Sequence, residues 1–391
     1  MLAAALVLVA FDFQNLLAWW RGKTLDVGWE LTWDFTIVVP LFGRPHYFKH
    51  RRELWRYRDQ TLLAIEVSEP VMAEFADQIE SLGWRVCRVR VPNPNPALLL
   101  RAALAEVRTT YTFRMDGDTL VRGGLPAAVK SVARSGADLC SFKVHALAPR
   151  TVAAKLQAIE YRIAMLTRHF RPWLTSGACF VGKTDALRRI FELHSCWSPG
   201  EDIETGRVAH ALRLKIRHVD MPVYTEVPDT FLSLFRQRRL WWAGTFRHWF
   251  VNGDRNAVQL PVLTGYYALA IWTSAYYRWW ELVDWHAVVA ALPAVLIVYV
   301  LVTAVSNLQV LSPWMLVLPV YTLVQTLVLP SIGACHYVVL ASRRRSLGRY
   351  RFGYRRGGRQ AARPTRIRSA TASISIPEPV TSPSSSSAVG F

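Results

Sequence analysis

Arg114-Met115-Asp116-Gly117-Asp118 sets two carboxylates two residues apart, just after a short apolar run and just before a turn. Oxygen ligands at that spacing suit Mg²⁺ or Mn²⁺ bridging a diphosphate, because these hard cations take one or two carboxylates and complete their shell with phosphate oxygens. The intervening glycine lets the backbone approach a ligand. Asp and Gly also dominate turns, so the same residues read as a plain chain reversal. Further along, Pro199-Gly200-Glu201-Asp202-Ile203-Glu204-Thr205 places an acidic pair at the start of a helical pattern. One of these carboxylates could serve as a general base taking a proton from an attacking hydroxyl. A capping residue and acids that favour the helix dipole would look the same.

Phe235-Arg236-Gln237-Arg238-Arg239-Leu240-Trp241-Trp242 joins arginines, which pair with phosphate oxygens, to indoles, whose faces stack on sugar rings. An interfacial belt of Arg and Trp beside a membrane has the same composition. Glu66, ending the run TLLAIEV, could accept hydrogen bonds from a ribose or a base, or be an ordinary surface acid. His194, Cys196 and His210 show no metal-ligand spacing and read as packing or surface residues. The basic run 44–58 reads as a solvated face.

These side chains need a frame. Over residues 34–219 short β-rich runs (DFTIVVP, TLLAIEV, WRVCRVRV, YTFRMD, DLCSFKV, ACFVG) alternate with helical patterns such as VMAEFADQIESLG. The alternation predicts an α/β fold around a largely parallel sheet, whose ligands bind at the carboxyl ends of strands. A catalytic domain over 34–250 follows.

Outside it the composition is that of a membrane protein. Residues 1–20 are apolar and closed by Trp19, Trp20 and Arg21, which predicts an N-terminal transmembrane helix. Segments 286–307 and 312–340 are long enough to span hydrocarbon, and 258–284, rich in Tyr and Trp, either spans or lies in the interface. The hydrophobic fraction of 52% coexists with a net charge of +19 because the charge is segregated, with eleven arginines and no acid over 342–368. That tract adjoins the last apolar segment, which points to anionic lipid and a cytoplasmic tail rather than to nucleic acid. The remainder of 342–391 is rich in Ser and Pro and reads as disordered. Five cysteines without a C-x-x-C pair argue against a disulfide framework or zinc site and for a reducing compartment.

Taken in order, a strand ending VVP, the acid Glu66, D-G-D, S-G-A-C-F, G-E-D and Q-R-R-L-W resemble the family 2 glycosyltransferases, more narrowly the processive membrane synthases of the cellulose, chitin and hyaluronan type. The resemblance spans about 35–248 and implies a GT-A-like (Rossmann-like) cytosolic domain with flanking transmembrane helices. It implies that Asp116 and Asp118 hold the metal, Mg²⁺ or Mn²⁺, against the diphosphate of a nucleotide-sugar donor, UDP being the expected nucleotide. Glu66, Gln237, Arg238 and Arg239 would complete the donor site, and Asp202 would be the catalytic base. Ser176, Gly177, Glu201 and Trp241 would line the glycan acceptor. Leu240 stands where the family has Arg, Glu66 where it has Asp, and Gly200 where it has Thr.

The resulting expectation is an inverting hexosyltransferase of the plasma membrane, extending a polysaccharide at the cytoplasmic face and coupled to export. Two or three spans make a thin wall for a channel, so a homo-oligomer is a corollary. The alternatives are a transferase adding one sugar to a lipid-linked or cell-surface acceptor, and an inactive membrane scaffold.

Overall fold

The computed structural model describes residues 25–167, 175–253 and 312–349, with isolated positions between 286 and 305. Eight strands, β1 (Phe35–Leu41), β2 (Thr61–Glu66), β3 (Arg85–Val89), β4 (Tyr111–Met115), β5 (Thr119–Val121), β6 (Leu139–Ala146), β7 (Cys179–Lys183) and β8 (Ile216–Thr225), form one sheet. Their order is β3-β2-β1-β4-β7-β6-β8-β5. Every residue of β1, β2 and β4 is buried, as expected of strands covered on both faces, which read as continuous apolar runs. Side chains alternate across the pleat, so Ile37 and Val39 enter one core while Val38 enters the other.

Helices cover both faces. On one side α1 (Pro70–Ser81) presents Met72, Phe75, Ala76 and Ile79 at helical spacing, and α3 (Leu125–Ser135) packs on the same face of the sheet. On the other, α2 (Pro96–Ala103) is opened by Asn95, whose side chain accepts from the amides of Ala97 and Leu98 at 3.0 and 3.1 Å. Beside α2 lie α5 (Thr184–Leu193) and α6 (Glu201–Ala211). Two smaller clusters extend this α/β body. Ala153, Leu156 and Ile159 of α4 (Val152–Thr167) meet Leu234 of α7 (Phe231–Phe246) together with Met315, Leu318 and Tyr321. Trp197 and Ala243 meet Tyr337 and Ala341.

The sheet is largely parallel, with two of its strands reversed. Strands β1 to β4 pair in parallel, as do β6 and β8, but β7 runs antiparallel to both β4 and β6, and β5 antiparallel to β8. A buried apolar run such as CFVG reads the same in either direction, so its direction is decided by how the chain arrives and not by its residues.

The predicted helices at 1–20 and 258–284, most of 286–307 and the tail beyond 349 lie outside the described residues. The predicted span 312–340 is divided into a 3₁₀ turn Pro313–Leu316, α8 (Leu318–Leu323), a π-helical stretch Val324–Val328 and α9 (Leu329–Arg344). A proline in the first turn of three of these segments accounts for the division, because proline lacks the amide that would continue the preceding helix. Among the described residues no helix is long and apolar enough to cross a membrane.

Phe113 of β4 and Phe142 of β6 are fully buried with ring centroids 5.0 Å apart, directly beneath the strand end that carries the acids. Replacing Phe113 by Ala should cost about 3–5 kcal/mol in denaturant unfolding, and a loss below about 1 kcal/mol would mean that this core does not support the strand.

Candidate functional site

Because β7 is antiparallel to β4, its beginning lies against the end of β4, with Cys179 opposite Met115. The Asp116 amide donates to the Ala178 carbonyl at 3.0 Å, which joins the D-G-D turn to the segment 176–178. That segment in turn holds the Gly200-Glu201-Asp202 motif. The Gly177 amide donates to Asp202 Oδ2 and the Ile203 amide to Asp202 Oδ1, each at 2.9 Å, while the Thr175 hydroxyl bonds the Asp202 carbonyl. Asp116, Asp118, Ser176, Gly177, Glu201 and Asp202, separated by up to 86 positions along the chain, therefore meet at one edge of the sheet.

The dominant electrostatic fact is crowding of carboxylates. Burial pushes the Asp116 carboxyl up to about 7; Arg114 opposes the rise, while Asp118, Glu201 and Asp202 add to it. Asp118 is raised by burial and by Glu226, against Thr225, whose hydroxyl donates to Asp118 Oδ1 at 3.4 Å, and against Lys49, which is paired with Glu226. Glu201 is raised by burial and by Asp202. Beneath them Arg114, only 4% exposed, donates to Asp116 Oδ1 at 2.6 Å and leaves its other terminal nitrogen without a hydrogen-bond partner.

One guanidinium against four carboxylates leaves the cleft net negative. Among the described residues no group of three or more His, Cys, Asp or Glu side chains forms a metal cage. A pair of aspartates backed by other acids nevertheless fits a divalent cation whose remaining positions are filled by phosphate oxygens and water. Asp116 and Asp118 are the residues that would hold it, and the charge it brings is the charge the cleft lacks.

Gly117 serves a purpose other than the one its place in the motif suggests. A Cβ there would lie 2.5 Å from the Tyr47 carbonyl and 2.8 Å from Leu41 Cδ2, and the Lys49 amide donates to the Gly117 carbonyl at 3.0 Å. The close approach is made by the protein's own 44–49 loop. Gly200, at φ +92°, is the left-handed residue that starts α6 and presses against Gly244 of α7 and His248, whose Nε2 would lie 2.9 Å from a Cβ.

Glu66 ends β2 with its carboxyl buried and accepts from the Ser68 amide at 2.9 Å. The Q-R-R-L-W residues lie on α7. Arg238 is buried and donates to Glu160 Oε2 of α4 at 2.7 Å, and Tyr321 donates to the same oxygen at 2.5 Å. Gln237 Oε1 accepts from Arg238 at 3.3 Å. The guanidinium of Arg238 sits 3.9 Å from the centre of the Trp241 ring, which also stacks with Tyr161 at 6.2 Å, while Trp241 stays 44% exposed. Arg239 is exposed. Tyr161 joins α7 to the acidic cleft: burial pushes its hydroxyl up to about 12, with Arg238 opposing the rise and Glu160 and Asp118 adding to it.

Sequence patterns passed over three residues. Arg114 precedes the aspartates as one more strand residue, and Glu204 reads as a helix acid although it is completely buried against Arg247 at 2.9 Å. Arg247 lies beyond the Q-R-R-L-W motif, among aromatic residues that carry no motif. Only the pairing of an acid with an arginine 43 positions away identifies the last two, and no local spacing encodes it. His194 is fully buried, with Nε2 2.8 Å from the Glu201 carbonyl and Nδ1 accepting from the Cys196 amide at 2.8 Å, which is a packing role.

A carboxyl titrating near 7 holds a proton below that pH and must release it to bind a cation. The folded protein then binds more protons than the unfolded chain between about pH 4 and 7, so ionising Asp116 costs stability as pH rises through that window. Apparent Mn²⁺ affinity, read by calorimetry, should weaken about tenfold from pH 8 to pH 6. Close to one proton should be released per ion at pH 6. An affinity that does not change with pH would contradict this account of Asp116.

Several solved structures are similar to the chain at low identity. A mannosyltransferase of Pyrobaculum calidifontis, in complex with GDP-Man and Mn²⁺, is 15% identical, with 78% of this chain and 98% of that chain covered and a TM-score of 0.44. A glucosyl-3-phosphoglycerate synthase of Mycobacterium tuberculosis, in complex with Mn²⁺, UDP and glucosyl-3-phosphoglycerate, is 17% identical, with 54% and 78% covered and a TM-score of 0.37. For a mannosyl-3-phosphoglycerate synthase of Rubrobacter xylanophilus the values are 14%, 57%, 75% and 0.36. No curated protein matches the sequence significantly. Residues 112–329, more than half of the chain and the stretch that runs from β4 through the acidic pair and α7, match the family described as glycosyl transferase family group 2. The chain belongs to that family.

Proposed function

We propose that this chain transfers a sugar from a nucleotide-diphosphate sugar, with UDP as the nucleotide, to a hydroxyl of a growing glycan, inverting the anomeric carbon. The observation that carries this reading is the way Asp202 is held: both carboxylate oxygens accept a backbone amide, from Gly177 and Ile203, beside the D-G-D turn. Each oxygen keeps a further lone pair, so Asp202 is oriented and still able to take the acceptor's proton. The hydroxyl oxygen then forms the new glycosidic bond from the face opposite the diphosphate, which leaves with the electrons of the broken bond.

The other roles are those that the family resemblance implies. Asp116 and Asp118 bind Mg²⁺ or Mn²⁺, which supplies positive charge against the departing diphosphate. Glu66 faces the nucleoside, and Gln237 and Arg239 face the diphosphate. Arg238 stands behind them, with its terminal nitrogens engaged by Glu160 and Gln237. Ser176, Gly177, Glu201 and the exposed part of Trp241 receive the acceptor.

We place this cleft at the cytoplasmic face of the plasma membrane, on the strength of the apolar segments and the arginine tract at 342–368. A product that grows while the enzyme stays membrane-bound calls for a protein-lined exit, within one chain or between copies. A second reading, single addition to a lipid-linked or cell-surface acceptor, is favoured by Leu240, which stands where the processive synthases carry an arginine.

Full-length protein incubated with a panel of UDP-sugars and Mn²⁺ or Mg²⁺ should release UDP with one donor. Asp202→Asn should lose at least about 10³-fold in turnover while binding donor and Mn²⁺ as before. High-mass product supports extension and a single addition supports the second reading. An Asp202→Asn variant with full activity would remove the assigned base, and failure to bind any nucleotide would favour an inactive scaffold.

A further inference from the structure

Arg247 opens a π-helical turn, Arg247–Val251, directly after α7, and its side chain is completely buried. Its donors converge on the loop that leads into Asp202. Nη1 donates to the Trp197 carbonyl at 3.2 Å and Nη2 to the Gly200 carbonyl at 3.3 Å. Nη2 also pairs with Glu204 Oε2 at 2.9 Å, one turn into α6, and Glu204 accepts from the Ser195 hydroxyl at 2.7 Å. The Gly200 carbonyl is shared with His248 Nε2 at 2.7 Å, and burial, reinforced by Arg247, holds His248 well below its ordinary value and so neutral. The Arg247–Glu204 ion pair thus lies at the centre of the network, and Trp197, Gly200 and Glu204 are all bonded to one guanidinium.

The same guanidinium reaches beyond the catalytic domain. Nη1 lies 3.5 Å from the carbonyl of Gly348, which follows α9. Arg344 bonds the Ser198 carbonyl and stands 5.1 Å over the Trp197 ring, with Tyr337 tilted against that ring at 5.7 Å. Tyr337 in turn donates to the Leu347 carbonyl at 2.8 Å. A Cβ at Gly348 would sit 2.2 Å from Trp197 Cε3, so the chain passes Trp197 with no room to spare.

We infer that Arg247 is a positioning residue for Asp202, and that it works together with α9 and Gly348, so that the helix beyond the apolar region forms part of the frame of the catalytic loop. Arg247 touches neither donor nor acceptor. It fixes the two carbonyls and the carboxylate that flank Asp202, and Asp202 must be held to within a fraction of an ångström to meet an acceptor hydroxyl in line. This inference rests on reading Asp202 as the base.

Arg247→Ala, Arg247→Lys and Gly348→Ala are to be compared with the wild type in full-length protein. Turnover should fall by on the order of 100-fold in Arg247→Ala, with donor KM and Mn²⁺ affinity within about twofold of wild type. Added guanidinium should restore part of the loss, and Arg247→Lys should fall between. Gly348→Ala, which leaves the Arg247–Glu204 pair in place, should lose turnover in the same pattern and carries the test if Arg247→Ala does not fold. Amide exchange gives a readout independent of the reaction: exchange at Gly177 and Ile203, whose amides bond Asp202, should speed up in Arg247→Ala and Gly348→Ala. Faster exchange without wild-type transfer activity would count against the assigned base and not against the clamp. Folded variants with unchanged exchange and turnover would overturn the inference, as would a joint fall of turnover, donor binding and Mn²⁺ affinity without rescue.

Discussion

Four carboxylates, Asp116, Asp118, Glu201 and Asp202, share one edge of the sheet, and much of the surrounding structure answers their mutual repulsion. Burying like charges together is unfavourable unless they are protonated, paired or bound to a cation. The protein uses the first two devices visibly. Asp116 is pushed up to about 7, and Arg114 is buried beneath it at 2.6 Å. The acids project from three separate places, the end of β4, the turn before β5 and the start of α6, and the antiparallel course of β7 brings them together. The sheet therefore concentrates charge where helix and strand ends also concentrate exposed backbone donors, which is where α/β sheets bind ligands.

Those backbone donors decide how the acids differ. Asp202 accepts two amides, one on each oxygen, whereas Asp116 has a guanidinium and Asp118 a hydroxyl from Thr225 together with its own amide. A carboxylate held by amides is fixed in direction; one held by a side chain below it keeps its outer oxygen for a ligand. Chemically similar residues are thus separated into one suited to orienting a proton transfer and two suited to sharing a cation.

Much of this was legible in the chain before its fold was known. The buried runs of β1, β2 and β4 announce themselves by continuous apolar composition, and both acidic motifs fall at strand or helix ends, as their turn and capping chemistry requires. The direction of β7 was not legible, because a buried strand carries no mark of its polarity. Nor was the partner of Arg238: Q-R-R-L-W suggested phosphate, but the carboxylate that takes this arginine is Glu160, 78 positions earlier on α4. Arg247 and Glu204 were invisible for the same reason, each unremarkable locally and meaningful only as a buried pair. Gly117 shows the converse: its presence in the motif was plain, but the group it makes room for is the Tyr47 carbonyl.

The two buried arginine systems set the order in which the site's charges can be satisfied. Arg247 and Glu204 are paired with each other, and the histidines beside them are held neutral by burial. Arg238 is likewise answered by Glu160. Arg114, buried beneath Asp116 and paired with it, is outnumbered by the acids. An anionic donor approaching such a cleft alone would meet net negative charge and be repelled. A divalent cation approaching with the diphosphate reverses that sign, since each of its charges replaces a repulsion with an attraction on both sides. Under the proposed function, the arrangement of acids, more than any single ligand distance, is the reason for cation and diphosphate to bind together.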